Sequence, residues 1–486
     1  MAEKSLKNKT VKGAGWSFID GLAGQGITFL VGLILARLLS PVEYGLIGII
    51  TIFIAVFNSI VDSGFSNALI RKNDAKDIDY NTVFFTNLIL SIVLFILLFI
   101  SAPAISKFFN QPQLISLLRV MGSIVIINAF AIIQRTILVK KVDFKTQTKV
   151  SLISSISSGV VGIGMALNDY GVWSLVGQQI SRQFLNSVFL WIYSKWFPKL
   201  QFSIQSFKEL FSFGWKLLAS SLIDTVWNEI YQVVIGKCYT PTALGQYTRA
   251  QQFAVICSSN LINVVRRVSY PVLSSIQDDK IRLKNAYRKI IKVSMLVAFT
   301  LMLGLAGVAK PMVLSLIGEQ WLPCVPFLQI ICLQMMLYPL HALNLNMLQV
   351  QGRSDLFLKL EIIKKIIALG PLLLGVFVNI YWMLGSSVVT GFISYYLNAY
   401  YSGPFLNYSI KEQVKDILPS FGVAVTMAIP IFAMSWIPIN PIILFLLQIL
   451  LGIVIIVSLC EIINFPEYIE LKGIAVPIIN KLIKRK

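Results

Sequence analysis

Charge is scarce in this sequence. Only 13% of its 486 residues are Asp, Glu, Lys or Arg, against about 25% in a soluble domain. Hydrophobic residues make up 56% and mean hydropathy is +0.76, which excludes a soluble globular protein of this length and points to an all-α polytopic membrane protein. Histidine is nearly absent, with His341 alone, and the five cysteines (Cys238, Cys257, Cys324, Cys332, Cys460) form no Cys-x-x-Cys pair. Zinc and redox chemistry lack a ligand set, so no metal or cofactor is expected. Acids are outnumbered 22 to 42, for a net charge of +20. In a soluble chain that excess would suggest nucleic acid; in a membrane chain the positions of the basic residues carry the information, and nucleic acid is not an expected partner.

What the sequence has is long apolar runs. They fall at about 13–39, 43–68, 81–103, 113–139, 148–167, 171–193, 211–236, 242–272, 286–309, 321–350, 355–377, 379–402, 416–437 and 441–463, or about fourteen transmembrane helices. Lys4, Lys7, Lys9 and Lys12 lead into a run too long for a signal-peptide core, so the first helix is expected to stay. With the amino terminus inside, basic residues gather in every inner segment: Arg71, Lys72 and Lys76; Lys140 to Lys149; Lys195 to Lys208; Arg266 to Lys289; Arg353 and Lys359; Lys411 and Lys415; Lys481 to Lys486. Outer loops carry at most one each, as at Arg37, Lys107, Lys237 and Lys310. This alternation predicts that both termini are cytoplasmic.

The chain also echoes itself. Gly15-Trp16 matches Gly214-Trp215; Ser40-Pro41-Val42-Glu43-Tyr44-Gly45 matches Thr240-Pro241-Thr242-Ala243-Leu244-Gly245; Pro103 and Pro311 follow helices three and nine; Lys141-Val142-Asp143-Phe144 matches Arg353-Ser354-Asp355-Leu356. The offset is about two hundred residues, or six helices. Six crossings preserve orientation, so the repeat is parallel, a transporter pattern with its site where the copies meet. The expected organisation is a first lobe over 1–205 (helices one to six), a second over 206–410 (helices seven to twelve), and 411–486 with helices thirteen and fourteen and a basic cytoplasmic tail.

Polar stripes mark the helices that face this site. Arg249, Gln252, Ile256, Asn260, Asn263 and Arg267 recur at steps of three or four, within roughly 80° of one helix face. Helix two carries Thr51, Asn58, Asp62 and Ser66; helix one Asp20, Gln25 and Thr28; helix seven Asp224 and Asn228. Ionisable groups at membrane depth turn towards a cavity or pathway, so four helices are expected to line one central route for something polar.

Two segments carry a specific resemblance: Val61-Asp62-Ser63-Gly64-Phe65-Ser66-Asn67-Ala68-Leu69-Ile70-Arg71, and Gly245-Gln246-Tyr247-Thr248-Arg249-Ala250 continuing to Tyr270-Pro271-Val272-Leu273-Ser274-Ser275-Ile276-Gln277-Asp278-Asp279. Over essentially the whole chain the sequence resembles the Wzx-type polysaccharide and O-antigen flippases of the multidrug/oligosaccharidyl-lipid/polysaccharide exporter superfamily, in the branch of colanic-acid and teichuronic-acid exporters. Thr248 stands where serine is expected. The resemblance implies a MATE-like V of two pseudo-symmetric six-helix lobes plus two helices. It implies alternating access that carries an undecaprenyl-pyrophosphate-linked oligosaccharide across the bacterial inner membrane, for capsule, O-antigen or exopolysaccharide synthesis. The partners it implies are that lipid-linked substrate, membrane lipids and other polysaccharide-assembly proteins.

The residue types suit such a cargo. Arginine forks pair phosphate oxygens and stay ionised, which makes Arg249, Arg182 and Arg119 candidate contacts. Amides suit sugars, which adds Gln25, Asn58, Asn228, Gln252, Asn260 and Asn263. Each has a plainer reading beside it. Arg266 and Arg267 fit interfacial snorkelling as well as a gate, in which Asp62 pairs with Arg266. Arg119 also fits outer headgroups, Arg182 an internal pair, and His341 a packing role. A coupling ion, H+ or Na+, would sit at Asp20 or Asp224. Three other functions fit the residues less well. A drug/cation antiporter sits poorly with several deep arginines; a peptidoglycan-precursor flippase would be expected to have an arginine beside Asp20; and a polymerase or ligase enzyme would need a catalytic outer loop that the short connections lack.

Overall fold

The computed structural model describes residues 24–62 and 64–473, and among these the chain is helical, with no strand. The helices are α1 (Gln25–Leu38), α2 (Pro41–Asp62), α3 (Phe65–Arg71), α4 (Asp77–Phe109), α5 (Leu114–Met121), α6 (Ser123–Lys140), α7 (Phe144–Leu167), α8 (Val172–Ser194) and α9 (Ile204–Cys238). They continue with α10 (Pro241–Ser274), α11 (Lys280–Leu316), α12 (Cys324–Met335), α13 (Tyr338–Val350), α14 (Ser354–Ile367), α15 (Leu369–Phe377), α16 (Ile380–Ser402), α17 (Ile410–Met434) and α18 (Pro441–Ile462). Among the described residues, eight spans are long and apolar enough to cross a membrane, from Pro41–Arg71 to Pro441–Ile462. The chain is a multi-pass membrane protein by that measure.

Local chemistry sets the helix starts. The side chains of Asp143, Ser203, Asp279 and Asn379 each accept a hydrogen bond from the backbone N–H three residues on, at Thr146, Ser206, Arg282 and Trp382. Such caps satisfy donors that a helix leaves free in its first turn. Ser409 and Glu412 form a reciprocal capping box at α17. Pro41 and Pro241 open α2 and α10, where a missing N–H does no harm.

Several expected single helices are broken in the structure. The run over 43–68 splits into α2 and α3 at Gly64, whose φ is +69°. Glycine is required there twice over, because a Cβ would also meet the Gly214 carbonyl oxygen at 2.5 Å. The run over 113–139 divides at Gly122, that over 321–350 after Met335, and that over 355–377 at Ala368. The two echoed prolines correct an expectation in the other direction. Pro103 and Pro311 do not follow their helices but lie inside α4 and α11, which run on to Phe109 and Leu316. A helix in apolar surroundings keeps its remaining backbone pairs when proline removes one.

The helices gather into two compact units that divide in sequence between Gly245 and Gln246. In the first, α8 packs on α6 and α7, α6 on α4, and α9 on α2, α3 and α4. Phe65, Leu69, Val83, Phe84, Ile133 and Leu210 form a core between α3, α4, α6 and α9. Polar contacts fasten α9 at both ends. At its start, Ser206 donates to the buried Asp79, and Lys72 pairs with both Asp79, at 3.3 Å, and Glu209, at 2.9 Å. At its end, Lys237 donates to the Phe108 carbonyl at 2.6 Å.

In the second unit α11 is central, packed on α12, α17 and α18. Arg288 makes a bidentate pair with Asp416 at 2.7 and 2.8 Å. Lys292 and Lys289 bind Glu467 and Glu470 beyond α18 at 2.6 and 2.8 Å. These bonds tie the carboxy-terminal helices to α11.

Candidate functional site: a polar cavity beside Arg135

A cavity of about 440 Å³ lies within the first unit. α2 contributes Asn58, Ser59 and Asp62 to its wall, α3 Ser66 and Asn67, α6 Asn128, Arg135 and Thr136, and α9 Leu217 and Ser221. Asn128, Ile132, Arg135 and Thr136 of α6 recur at helical spacing and share one face.

A chain of amides runs into this wall from behind. Gln183 on α8 donates from Nε2 to Asn128 Oδ1 at 2.7 Å, and Asn128 donates from Nδ2 to Asn58 Oδ1 at 3.0 Å. Ser66 donates to one oxygen of Asp62. Arg135 projects into the cavity, where water can reach it, yet protein surrounds it and the Asp62 carboxylate acts on it electrostatically. It forms no ion pair among the described residues. Ser59 and Ser221 meet across the α2–α9 contact, Oγ to Oγ, at 3.1 Å. The site therefore offers one cation with five donors, one half-engaged acid, and a set of amides and hydroxyls. This mixture can bind phosphate and sugar together.

Of the residues singled out from sequence, Asn58 and Asp62 lie together in this wall. Arg249 is only 1% exposed. Its guanidinium donates to Gln252 at 2.7 Å and lies 5.5 Å from the Trp321 ring centre, all within the second unit. Asn260 donates to its own helix at Ile256, and Asn263 is exposed. Arg119 lies 4.4 Å from the Phe99 ring centre and donates to the Phe99 carbonyl. Arg182 is half-buried on α8, while Gln25, Asp224 and Asn228 are exposed. His341 meets Asn398 at 3.3 Å. Asp20, and the side chains of Arg266 and Arg267 with the expected Asp62–Arg266 pair, lie outside the described residues.

Arg135, Asn128 and Gln183 did not stand out in the sequence. Arg135 sits close to the end of the apolar run predicted over 113–139, where arginine is ordinary. The signal available was the spacing of Asn128, Arg135 and Thr136 on one face.

Apolar helices around a partly open polar cavity make the arrangement of a membrane transporter. Residues 34–326, more than half the chain and all of the cavity wall, match the family model described as polysaccharide biosynthesis protein, and the chain belongs to that family. It is 26% identical to the teichuronic acid biosynthesis protein TuaB of Bacillus subtilis, over 72% of this chain and 73% of that one. It is 25% identical to the lipopolysaccharide biosynthesis protein WzxC of Escherichia coli, over 76% of each. The fold is that of the solved lipid II flippase MurJ in its inward closed conformation, with a TM-score of 0.72 at 17% identity over 93% of this chain and 98% of that one. An inward-facing multidrug resistance MATE transporter of the MOP superfamily gives a TM-score of 0.62 at 16% identity, over 79% of this chain and 96% of that one.

Proposed function

We propose that this protein is a flippase that moves a polyprenyl-pyrophosphate-linked oligosaccharide across the bacterial cytoplasmic membrane by alternating access. The observation that carries the reading is Arg135, which forms no ion pair among the described residues, beside the Asn58–Asn128 amides in one cavity. Arg135 and Asn58 would take the pyrophosphate, and Asn128, Ser59 and Ser221 the first sugars. The lipid tail needs only the surrounding membrane. A cation carrier is less suited to the cavity, because Asp62 already accepts from Ser66 while Arg135 is free to bind an anion.

The proposal includes the finer topology: about fourteen crossings, both termini cytoplasmic, and repeat halves over 1–205 and 206–410 with two further helices over 411–486. Arg249 with Gln252, and Arg119 with Phe99, take positioning roles in it. Arg182 and the exposed Gln25, Asn228 and Asn263 remain candidate substrate contacts. H+ or Na+ coupling is assigned to Asp224 or Asp20. Asparagine at either position should then abolish the response of transport to an imposed ion gradient, and an unaltered response in both would remove the assignment.

The test of the main reading uses the purified protein in vesicles that carry a fluorescent lipid-linked oligosaccharide in both leaflets. Chemical quenching from outside should proceed to completion only with the protein present. Quenching that halts at the outer-leaflet fraction, with and without protein, would rule out the flippase reading.

A further inference from the structure

Gln183 does not line the cavity, yet it holds one end of the amide chain that does. We propose that Gln183 is a positioning residue, which through Asn128 turns the NH2 of Asn58 towards the cavity and so makes the site a donor surface for a diphosphate. The inference rests on the flippase reading and deepens it.

A primary amide has one acceptor oxygen and one donor nitrogen, at opposite corners. Gln183 Nε2 uses the oxygen of Asn128, at 2.7 Å. That leaves Asn128 its nitrogen, which uses the oxygen of Asn58 at 3.0 Å. Asn58 is then left with its nitrogen, which makes no hydrogen bond among the described residues. The three amides form a relay with a direction, and its free end is a donor.

Asp62 stands one turn along α2 from Asn58, on the same face. Its carboxylate favours the same direction, since an Asn58 oxygen turned inward would face a negative charge. Arg135 adds its guanidinium donors across the cavity from α6. With the relay set this way, the Asn58 nitrogen and Arg135 together meet an anionic oxygen-rich group. With the relay reversed, the Asn58 oxygen would repel it. Gln183 thus controls, from the second helix back, which charge the cavity accepts.

The experiment measures binding of farnesyl diphosphate to the full-length protein in lipid nanodiscs. A glutamate at 183 can only accept, so Gln183→Glu forces Asn128 to donate to it and turns both downstream amides. Its affinity for farnesyl diphosphate should fall about tenfold, the scale of one charge-assisted hydrogen bond, while the affinity for farnesol stays the same. Gln183→Met, which only removes the bias, should lose less. The control for the added charge is Asn128→Leu, which cuts the relay: in that background Gln183→Glu should have no further effect.

Equal losses with and without Asn128 would mean that the charge acts through space, and would overturn the relay. Wild-type binding that Gln183→Glu leaves unchanged would overturn the relay alone. A wild-type protein that binds no farnesyl diphosphate would overturn both the relay and the functional reading.

Discussion

Gly45 on α2 rests against the carbonyl oxygen of Pro241 at the start of α10, so closely that a Cβ at position 45 would lie 1.8 Å from that oxygen. The contact is reciprocal, for a Cβ on Gly245 would lie 1.8 Å from the Pro41 oxygen. These are the matching positions of the two sequence echoes. The two echoed segments therefore pack on each other, and each glycine seats the other segment's proline.

Alanine at either glycine has no room, because the obstacle is backbone and not a side chain that can swing away. Gly45→Ala and Gly245→Ala should each destabilise the protein by about 1–3 kcal/mol, as overpacking does. One small separation of α2 from α10 relieves both clashes, so the double variant should cost less than the sum. Thermal midpoints of the three variants check this; strict additivity would show that the two seats are independent.

Ser59 and Ser221 face each other at 3.1 Å where α2 meets α9. Cysteines at both positions should form a disulfide on mild oxidation and hold α9 against the cavity wall. Vesicle transport by the double variant should fall on oxidation and return with reductant, while transport by either single-cysteine variant should not respond to oxidation. Full transport by the cross-linked protein would show that α2 and α9 need not separate.

Arg135 is the single cation of the cavity wall among the described residues. Arg135→Gln should lower transport between tenfold and a hundredfold, equivalent to about 1.5–3 kcal/mol for a hydrogen bond to a charged group. Arg135→Lys keeps the charge but loses the fork, and should restore only part of the rate. A lysine variant that works as well as wild type would mean that charge alone suffices.

The latch at the start of α9 separates a buried acid from an exposed one. Asp79→Ala strips the partner from Ser206 and Lys72 and should cost about 1–3 kcal/mol, whereas Glu209→Ala, at a half-exposed site, should cost under about 1 kcal/mol. Glu209 above all, with Asp79, holds the Lys72 ammonium above its ordinary pKa. A raised lysine pKa contributes stability that is complete below about pH 10 and lost only as pH rises through the higher folded value. The latch should therefore be insensitive to pH between about 6 and about 9, which thermal melts across that range would test.

Much of the architecture was legible in the sequence for reasons that are local. Lipid permits no unpaired backbone, so long apolar runs had to be helices. Ser409 with Glu412 marks the start of α17, and Asp143 that of α7, through bonds that span three residues. The echo around Pro41 and Pro241 is plain in the sequence, and the two segments it pairs meet at their glycines. Helical spacing alone also puts Asn58 and Asp62 on one face.

The cavity was not legible in the same way, because it depends on which faces of distant helices meet. Sequence spacing puts Arg249 on a polar stripe as a candidate contact, yet packing buries it against Gln252 and Trp321. It passed over Arg135, which packing opens to the cavity beside Asp62. The sequence determined that this chain is a bundle of membrane helices with polar stripes on some of their faces. Only the tertiary structure decided which arginine faces the cavity, since a side chain's exposure is a property of the neighbours that long-range contacts bring to it. For the same reason Gln183, unremarkable within its own helix, acquires its part only when α8 places it behind Asn128.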